Sequence, residues 1–497
     1  MLTQILLFVT NYLAGLSRRL WQWWPQPAAT VRPHLGELAQ VARGQLPAFV
    51  RESKAVEHYL ALLGALDWAN FPERRRTRLW PGPRPTPRAA FVAAYLVKLD
   101  KGLESMPKLW EYLSEQPALV WLLGFGLVAS RDYAWGFDVE RSLPTPRHFG
   151  RVLRQLDNAQ VQFLFKSSVQ LLDGALHGKL SEHFGNEISL DTKHILAWVR
   201  ENNPKAGMSE RYDKEKQPKG DKDCKVGCKK RHNQPTPSQA GQPASQISVG
   251  EFYWGYASGT VATKVDEVVE CVLAEMTQTF DHGDVSYFQP LMAQTEKNLG
   301  RKPQYGALDK AYDAFYVYEY FAKAGGFAAV PWADRADHKK QFNAEGLPLC
   351  AAHLAMPLKG KFMDKSSSLV AHECARYACP LVFPERTGEV CPIGHKQWPK
   401  GGCITVLPTS VGNRVRHELD RSSDEYKRIY KQRTASERIN SQALALGIER
   451  PHLRNQRSIA NQNTLIYVLI NLRALQRVRQ HQAEVAAEVA KVPATTG

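Results

Sequence analysis

No run in this sequence reaches the roughly 20 consecutive apolar residues that a membrane-spanning helix takes. The apolar opening, Met1 to Trp24, falls short of that length and has no basic segment in front of it. Arg18 and Arg19 follow without a small-residue cleavage site, which argues against a targeting segment. It is expected to form an amphipathic helix packed on an N-terminal domain, with a membrane-surface helix as the alternative. No two cysteines are spaced C-x2-C. The eight cysteines (224, 228, 271, 350, 374, 379, 391 and 403) sit in a long chain of cytosolic character, so thiols or metal ligands fit better than disulfides. No internal repeat is visible, which sets repeat architectures aside. Acidic residues are also in deficit: 65 Lys and Arg face 49 Asp and Glu, for a net charge of +16. That surplus points to a polyanionic partner, nucleic acid first and an anionic membrane surface second.

What is present divides the 497 residues into about three domains by length. Residues 1–50 form the N-terminal amphipathic segment, and 51–160 an all-α domain suited to DNA. Val56, Tyr59, Leu60 and Leu63 make a helical stripe, as do Leu109, Tyr112 and Leu113. The Pro- and Arg-rich stretch Pro72–Arg88 reads either as a solvated linker or as an arm along DNA phosphates. Thr145 and Pro146 have the chemistry of an N-cap and a first helical position. The helix they open spaces Arg147, Arg151 and Arg154 as a reader of DNA would, or as a plain solvated face.

From about Gly185 the pattern turns to alternating strands and helices. Ile188 and Leu190 alternate with polar residues and lead to Asp191, read as an acid at a strand's C-terminal end. Phe252–Tyr256 is a second strand, and residues 203–248 are expected to be a long surface loop. Tyr305–Leu308 is a strand ending at Asp309, Ala311–Ala324 an amphipathic helix, and Phe327–Pro331 the next strand. That β-α-β unit implies a parallel pairing. The first part of the core is thus 185–345, a cysteine-containing insertion follows at 346–416, and the second part is 417–491. Leu465, Val468, Leu469, Leu472 and Leu475 mark a late core helix, and 492–497 is a tail.

Three segments carry chemistry: Ile188-Ser-Leu-Asp-Thr-Lys-His194, Tyr305-Gly-Ala-Leu-Asp-Lys-Ala-Tyr-Asp313 and Tyr430-Lys-Gln-Arg-Thr-Ala-Ser-Glu437. In the third, spacings of three and four put Tyr430, Arg433 and Glu437 on one helix face. Such a face can present a carboxylate to a metal while Arg433 and Tyr430 reach a phosphate oxygen; alternatively Arg433 simply pairs with Glu437. Asp191, Asp309 and Glu437 together can hold two divalent cations about 4 Å apart, with oxygen donors favouring Mg²⁺ and Mn²⁺ as its substitute.

These motifs resemble the bacterial insertion-sequence DDE transposases, in the group with a Tyr-x2-Arg-x3-Glu signature. Asp191 matches the first catalytic position in Leu-Asp-Thr-Lys, Asp309 the second in Leu-Asp-Lys-Ala-Tyr-Asp, and Glu437 the last in Arg-Thr-Ala-Ser-Glu-Arg-Ile-Asn440. The position seven residues past the glutamate, basic in the fuller signature, is Leu444 here, with Arg438 or Lys431 as candidate substitutes. The resemblance covers about Glu187 to the C-terminus closely and the helical N-terminal region loosely. It implies an α/β ribonuclease-H-like catalytic core with an inserted cysteine-containing β-rich subdomain, preceded by the all-α domain. It also implies a transposase that binds terminal inverted repeats, cuts element ends and joins them to target DNA. Pairing two ends implies a homodimer in the synaptic complex, in a bacterial cytoplasm and on the nucleoid when DNA-bound. The alternatives are a non-transposing DNA endonuclease of the same fold, a catalytically inactive DNA-binding relic, and a zinc protein centred on the cysteines.

Within the insertion, Cys374, Cys379, Cys391, His395 and Cys403 offer more than the four ligands of a structural zinc. Reduced, buried cysteines in a small β-rich insert are the alternative. Cys224 and Cys228 sit beside Lys229, Lys230, Arg231 and His232, which reads either as a metal-binding set of two cysteines and a histidine or as a solvated basic loop whose cations meet DNA phosphates. Lys193 and His194 follow the first aspartate as candidate DNA contacts, with a second-shell role for His194 as the other reading. Trp332 is a candidate to stack on a flipped base, or else packing. Arg414, Arg416, Lys427, Arg428, Lys431, Arg450, Arg454 and Arg457 flank the catalytic helix and supply candidate backbone contacts.

Overall fold

The computed structural model describes residues 35, 38, 43–73, 85–132, 136–178, 180–181, 184–232, 248–265, 268–333, 340–365 and 370–489. The expected helix of Met1 to Trp24, most of the Pro- and Arg-rich arm (74–84) and the tail 492–497 lie outside these. The chain forms two compact units. One takes residues up to Leu171 with Arg457–Arg473, and the other takes Leu172–Gln456 with the chain from Ala474 onward.

The first unit is helical: α1 (Ala48–Arg51), α2 (Lys54–Leu63), α3 (Arg88–Asp100), α4 (Met106–Ser114), α5 (Pro117–Leu123), α6 (Val139–Ser142), α7 (Pro146–Gln155) and the first part of α8 (Asn158–Leu176). Val56, Tyr59 and Leu63 of α2 are buried, as the stripe requires. α3 begins after Pro87 without a side-chain cap of its own. Glu73 supplies one across the arm, its carboxylate accepting from the backbone N–H of Arg88 (3.0 Å) and Ala89 (2.7 Å). That satisfies two of the donors a helix N-terminus leaves open. Thr145 caps α7 through the His148 N–H, burying Phe149 and Leu153. Further along the chain, the late helix (Gln456–Val489) lends Asn461, whose amide donates to the carbonyls of Leu153 and Leu156 at 2.9 Å each.

The second unit is a mixed sheet with helices and a separate small sheet. Its strands are β1 (Glu187–Leu196), β2 (Lys225–His232), β3 (Ser248–Val265), β4 (Val269–Thr279), β5 (Tyr305–Leu308) and β6 (Phe327–Ala329). The order is β2-β3-β1-β5-β6, with β4 also on β3. β1 takes one edge of β3, while β2 and β4 share the opposite edge end to end. β1–β3 and β3–β4 are antiparallel; β1–β5 and β5–β6 are parallel. The helices are α9 (Phe288–Leu299), α10 (Phe315–Lys323), α11 (Val411–Glu418), α12 (Asp424–Tyr430), α13 (Thr434–Ala445) and α14 (Gln456–Val489), the last shared with the first unit. The small sheet is antiparallel, β7 (Leu358–Asp364), β8 (His372–Ala378) and β9 (Ile404–Pro408), in that order.

Glycines let two aromatic rings approach the main sheet closely. A Cβ at Gly306 of β5 would sit 2.3 Å from Phe321 of α10, and one at Gly259 of β3 would sit 2.4 Å from Tyr287. The second contact matters for the site, because Tyr287 closes the 3-10 turn Asp284–Tyr287. Among the described residues no helix is long and apolar enough to cross a membrane.

The structure corrects several local expectations. The loop at 203–248 contains β2, which pairs with β3 from Lys225 to His232. The helix expected at Ala311–Ala324 is a 3-10 turn, Lys310–Tyr312, followed by α10 from Phe315. The break falls at Asp313, whose carboxylate is tied to neighbouring elements. β1 does not end at Asp191 but runs on to Leu196, because β3 continues to pair with it after β5 has stopped.

Candidate active site

The parallel pairing of β1 and β5 sets Leu190 beside Leu308, so the next residue of each chain, Asp191 and Asp309, emerges at the same edge of the sheet. Alternation along β1 puts Glu187, Ser189, Asp191 and Lys193 on one face. α12 and α13 lie over that face. Arg428 reaches Glu187 at 2.5 Å, the Ser436 N–H donates to Ser189 Oγ at 3.1 Å, and Asn440 Nδ2 donates to Asp191 Oδ2 at 2.9 Å. Lys193 pairs with Glu449 at 3.1 Å.

Tyr430, Arg433 and Glu437 do not lie in one regular α-helix. α12 ends at Tyr430, Lys431–Arg433 is a 3-10 turn, and α13 starts at Thr434. Helical dihedrals persist through the joint, so the turn only tightens. Arg433 therefore still faces Glu437, and its guanidinium lies 3.7 Å from both Glu437 Oε1 and Asp309 Oδ2. Tyr430 stacks on Tyr426 with ring centroids 5.9 Å apart. Burial opposes the charge of Arg433, but Tyr430, Asp309 and Asp191 outweigh it and hold its pKa up.

Two residues outside the sequence triad join the cluster. Asp284, in the turn after β4, accepts from Thr192 Oγ1 at 2.7 Å on the other face of β1. Burial raises its pKa, and Asp309 raises it further against the Thr192 hydrogen bond. Asp191 is pushed up to about 6, first by burial and then by the carboxylates of Asp284 and Asp309, against the pull of Arg433. Tyr312 is 1% exposed and its hydroxyl has no hydrogen-bond partner among the described residues. Burial raises its pKa, and so do the nearby carboxylates of Asp284, Asp191 and Asp309. The signal for Asp284 in the sequence is slight, one of two acids, with Asp281, between a strand and a helix. Asn440 and Tyr312 stood inside the motif runs, and their spacing from Glu437 and Asp309 could have drawn them in.

The other candidate residues lie elsewhere. His194 is on the face of β1 opposite Asp191 and packs on Phe280 at 4.6 Å, with its pKa lowered to about 4 by burial and then by Lys229 and Lys193. Arg438 pairs with Glu270 at 2.6 Å, and Lys431 is exposed. Trp332 packs against the guanidiniums of Arg421 (3.8 Å) and Arg416 (4.8 Å). Arg147 and Arg151 are exposed on α7 of the first unit. Among the described residues, no three of the five zinc candidates have ligand atoms within 4.8 Å of one another. Cys374 lies on β8 and Cys391 and His395 in a turn region, while Cys379 and Cys403 are neighbours, the Cys403 thiol pushed up to about 12 by burial, Cys379 and Cys350.

No family model and no curated protein matches this chain.

Proposed function

We propose that the chain is a metal-dependent DNA phosphoryl-transferase, a DDE transposase that cuts the ends of an insertion sequence and joins them to target DNA. The observation that carries this reading is the meeting of Asp191 and Asp309 on adjacent parallel strands with Glu437, which shares Arg433 with Asp309. The strand order supports a ribonuclease-H-like core: three antiparallel strands (β1, β3, β4), with β5 and β6 added in parallel on the far edge of β1.

The donor set has the chemistry of a hard divalent cation, although its carboxylate oxygens do not all lie within 4.8 Å of one another, so the ions would draw these side chains together on binding. Its atoms are carboxylate oxygens, burial and then the neighbouring carboxylates lift Asp191 to about 6, and the buried Tyr312 hydroxyl near them has no partner among the described residues. Asp191, Asp309 and Glu437 would hold Mg²⁺ or Mn²⁺, with Asp284 beside them. When bound, such ions stabilise charge on the attacking and leaving oxygens of an in-line displacement.

The chain's own residues do the positioning. Asn440 fixes the rotation of the Asp191 carboxylate, and Thr192 does the same for Asp284. Arg433 balances Asp309 and Glu437 and has the planar fork that suits a phosphodiester. A net charge of +16 draws DNA to the protein, and pairing of two DNA ends makes a homodimer the working assembly.

The test is Asp309→Asn beside wild type, on DNA carrying the element's own ends with Mg²⁺. Wild type should cut and join, while the variant binds the ends equally well and does neither. Equal cutting by both proteins would remove Asp309 from the site. Cutting without joined product by wild type would favour the endonuclease, and binding without cutting would favour the relic.

A further inference from the structure

The small sheet carries a group of side chains that the phosphoryl-transfer chemistry does not use. β7 and β8 are antiparallel, with Asp364 opposite His372 and Phe362 opposite Cys374. His372 and Cys374 are two apart on β8, and Asp364 is the cross-strand partner of His372, so all three project from one face of the hairpin. Their ligand atoms lie within 4.8 Å of one another. Around one tetrahedral zinc, ligand atoms stand about 3.3–3.8 Å apart, so small side-chain rotations bring this group to coordination distance. It is the only such group of three among the described residues.

Two further observations define the histidine. Its Nδ1 lies 2.9 Å from the carbonyl oxygen of Val370. A carbonyl can only accept, so Nδ1 carries the proton and Nε2 keeps the lone pair that binds a metal. This is the second-shell arrangement that fixes the tautomer of metal-bound histidines. The ring also packs on Phe315 of α10, with centroids 4.4 Å apart. The same hydrogen bond argues against a nucleophilic Cys-His-Asp relay, which would need the aspartate to orient the ring through Nδ1.

We propose that Asp364, His372 and Cys374 form a binding site for one transition-metal ion of the zinc class. One thiolate, one imidazole and one carboxylate suit Zn²⁺ over Mg²⁺ or Ca²⁺, which prefer all-oxygen sets. Three protein ligands leave the fourth tetrahedral position to water. Cys374 is 3% exposed, so the sulfur is shielded and the ion is approached from the side of Asp364 and His372. The ligand set shares only Cys374 with the five residues that the cysteine spacing suggested. The site is independent of the carboxylate cluster and of the proposed DNA chemistry.

The test uses the full chain, reduced and stripped with a chelator, titrated with Co²⁺ as a spectroscopic probe and then with Zn²⁺ in competition. One equivalent of Co²⁺ should produce a thiolate-to-cobalt charge-transfer band, and Zn²⁺ should bleach it. Cys374→Ser should abolish the band, while Cys391→Ser and His395→Ala leave it intact. A wild-type protein without the band overturns the site, and so does a band that survives Cys374→Ser. Because Cys374 is buried, its variant can misfold, so Asp364→Asn and His372→Gln carry the test a second time. Each should weaken Co²⁺ binding at least tenfold, and unchanged affinity in both overturns the assignment.

Discussion

Asp309 and Asp313 are four residues apart after the same strand, and the protein treats their charges in opposite ways. Asp313 is enclosed and saturated. Arg416 donates to both its oxygens at 2.6 Å, Tyr318 OH adds 2.9 Å and the Ala333 N–H 3.1 Å. Burial works against its charge, yet these donors win and its pKa is lowered. Asp309, with Asp191 and Asp284, has a single guanidinium at 3.7 Å for balance, and Asp191 and Asp284 are raised. A charge with all its hydrogen bonds made inside the fold holds the fold together. The buried carboxylates of Asp191 and Asp284, set beside the more exposed Asp309 and a phenol without a partner among the described residues, are costly unless something from outside completes them. That contrast separates the acid that ties α10 to α11 from the acids proposed for catalysis.

The largest effect that could break the contrast is on chemistry. Glu437→Gln keeps the shape of the side chain and removes its charge, and it should lower Mg²⁺-dependent cleavage by at least about 10³-fold. End binding measured by gel shift should hold within about threefold, since DNA affinity rests on basic residues. Cleavage at the wild-type rate would strike Glu437 from the cluster.

Next is Arg416→Met, which strands the buried Asp313 carboxylate. Breaking a buried pair on one side costs about 3–5 kcal/mol, read as a drop in the urea midpoint at pH 7. The folded pKa of Asp313 is lowered, so its stabilisation is present above the unfolded value and is lost as pH falls through the folded one. The gap between wild type and Arg416→Met should therefore narrow in acid. A gap that stays constant would mean that Asp313 is not the group at stake.

Asp191→Asn should have the reverse sign. The folded pKa of Asp191 is about 6, above its unfolded value, so the stability it contributes is present below the unfolded pKa and lost as pH rises through about 6. In metal-free protein at pH 8 the amide should thus stabilise by about 1–2 kcal/mol, fading toward pH 4. Adding Mg²⁺ should raise the melting temperature of wild type and not of the variant. A destabilised Asp191→Asn at pH 8 would mean that the carboxylate is needed by the fold rather than held for a ligand.

Much of this contrast could be read from the sequence, and part could not. The settings of Asp191 in a strand, Asp309 just past one and Glu437 in a helix were legible because they are local. The all-α beginning was legible because stripes such as Val56, Tyr59 and Leu63 repeat within one helix. Asp284 was not, because only the pairing of β1 with β3 and of β3 with β4 carries the turn after β4 back to Thr192, 92 positions away. The group Asp364, His372 and Cys374 of the small sheet was missed for a similar reason. Cysteine spacing draws the eye to Cys379, Cys391 and Cys403, whereas cross-strand register selects Asp364 and His372. For Trp332, read as a candidate for base stacking or else packing, the structure shows packing against Arg416 and Arg421.

The smallest expected effect concerns the position where the signature departs. Leu444 lies seven residues past Glu437 on α13 and is 48% exposed, an apolar side chain in water on a helix proposed to face DNA. Leu444→Lys needs no repacking there, because the long side chain can extend into solvent. If the DNA ends run along this part of α13, the new ammonium adds about one phosphate contact. End affinity should then rise a few-fold at low salt, and the slope of log affinity against log salt should steepen by about one. If affinity and slope both stay unchanged, DNA does not pass Leu444, and the phosphate contacts lie on another side of the carboxylate cluster. Arg438 does not offer the same charge without a cost, since it is paired with Glu270 at 2.6 Å. The exposed Lys431 is then the better candidate for the contact that the leucine does not make.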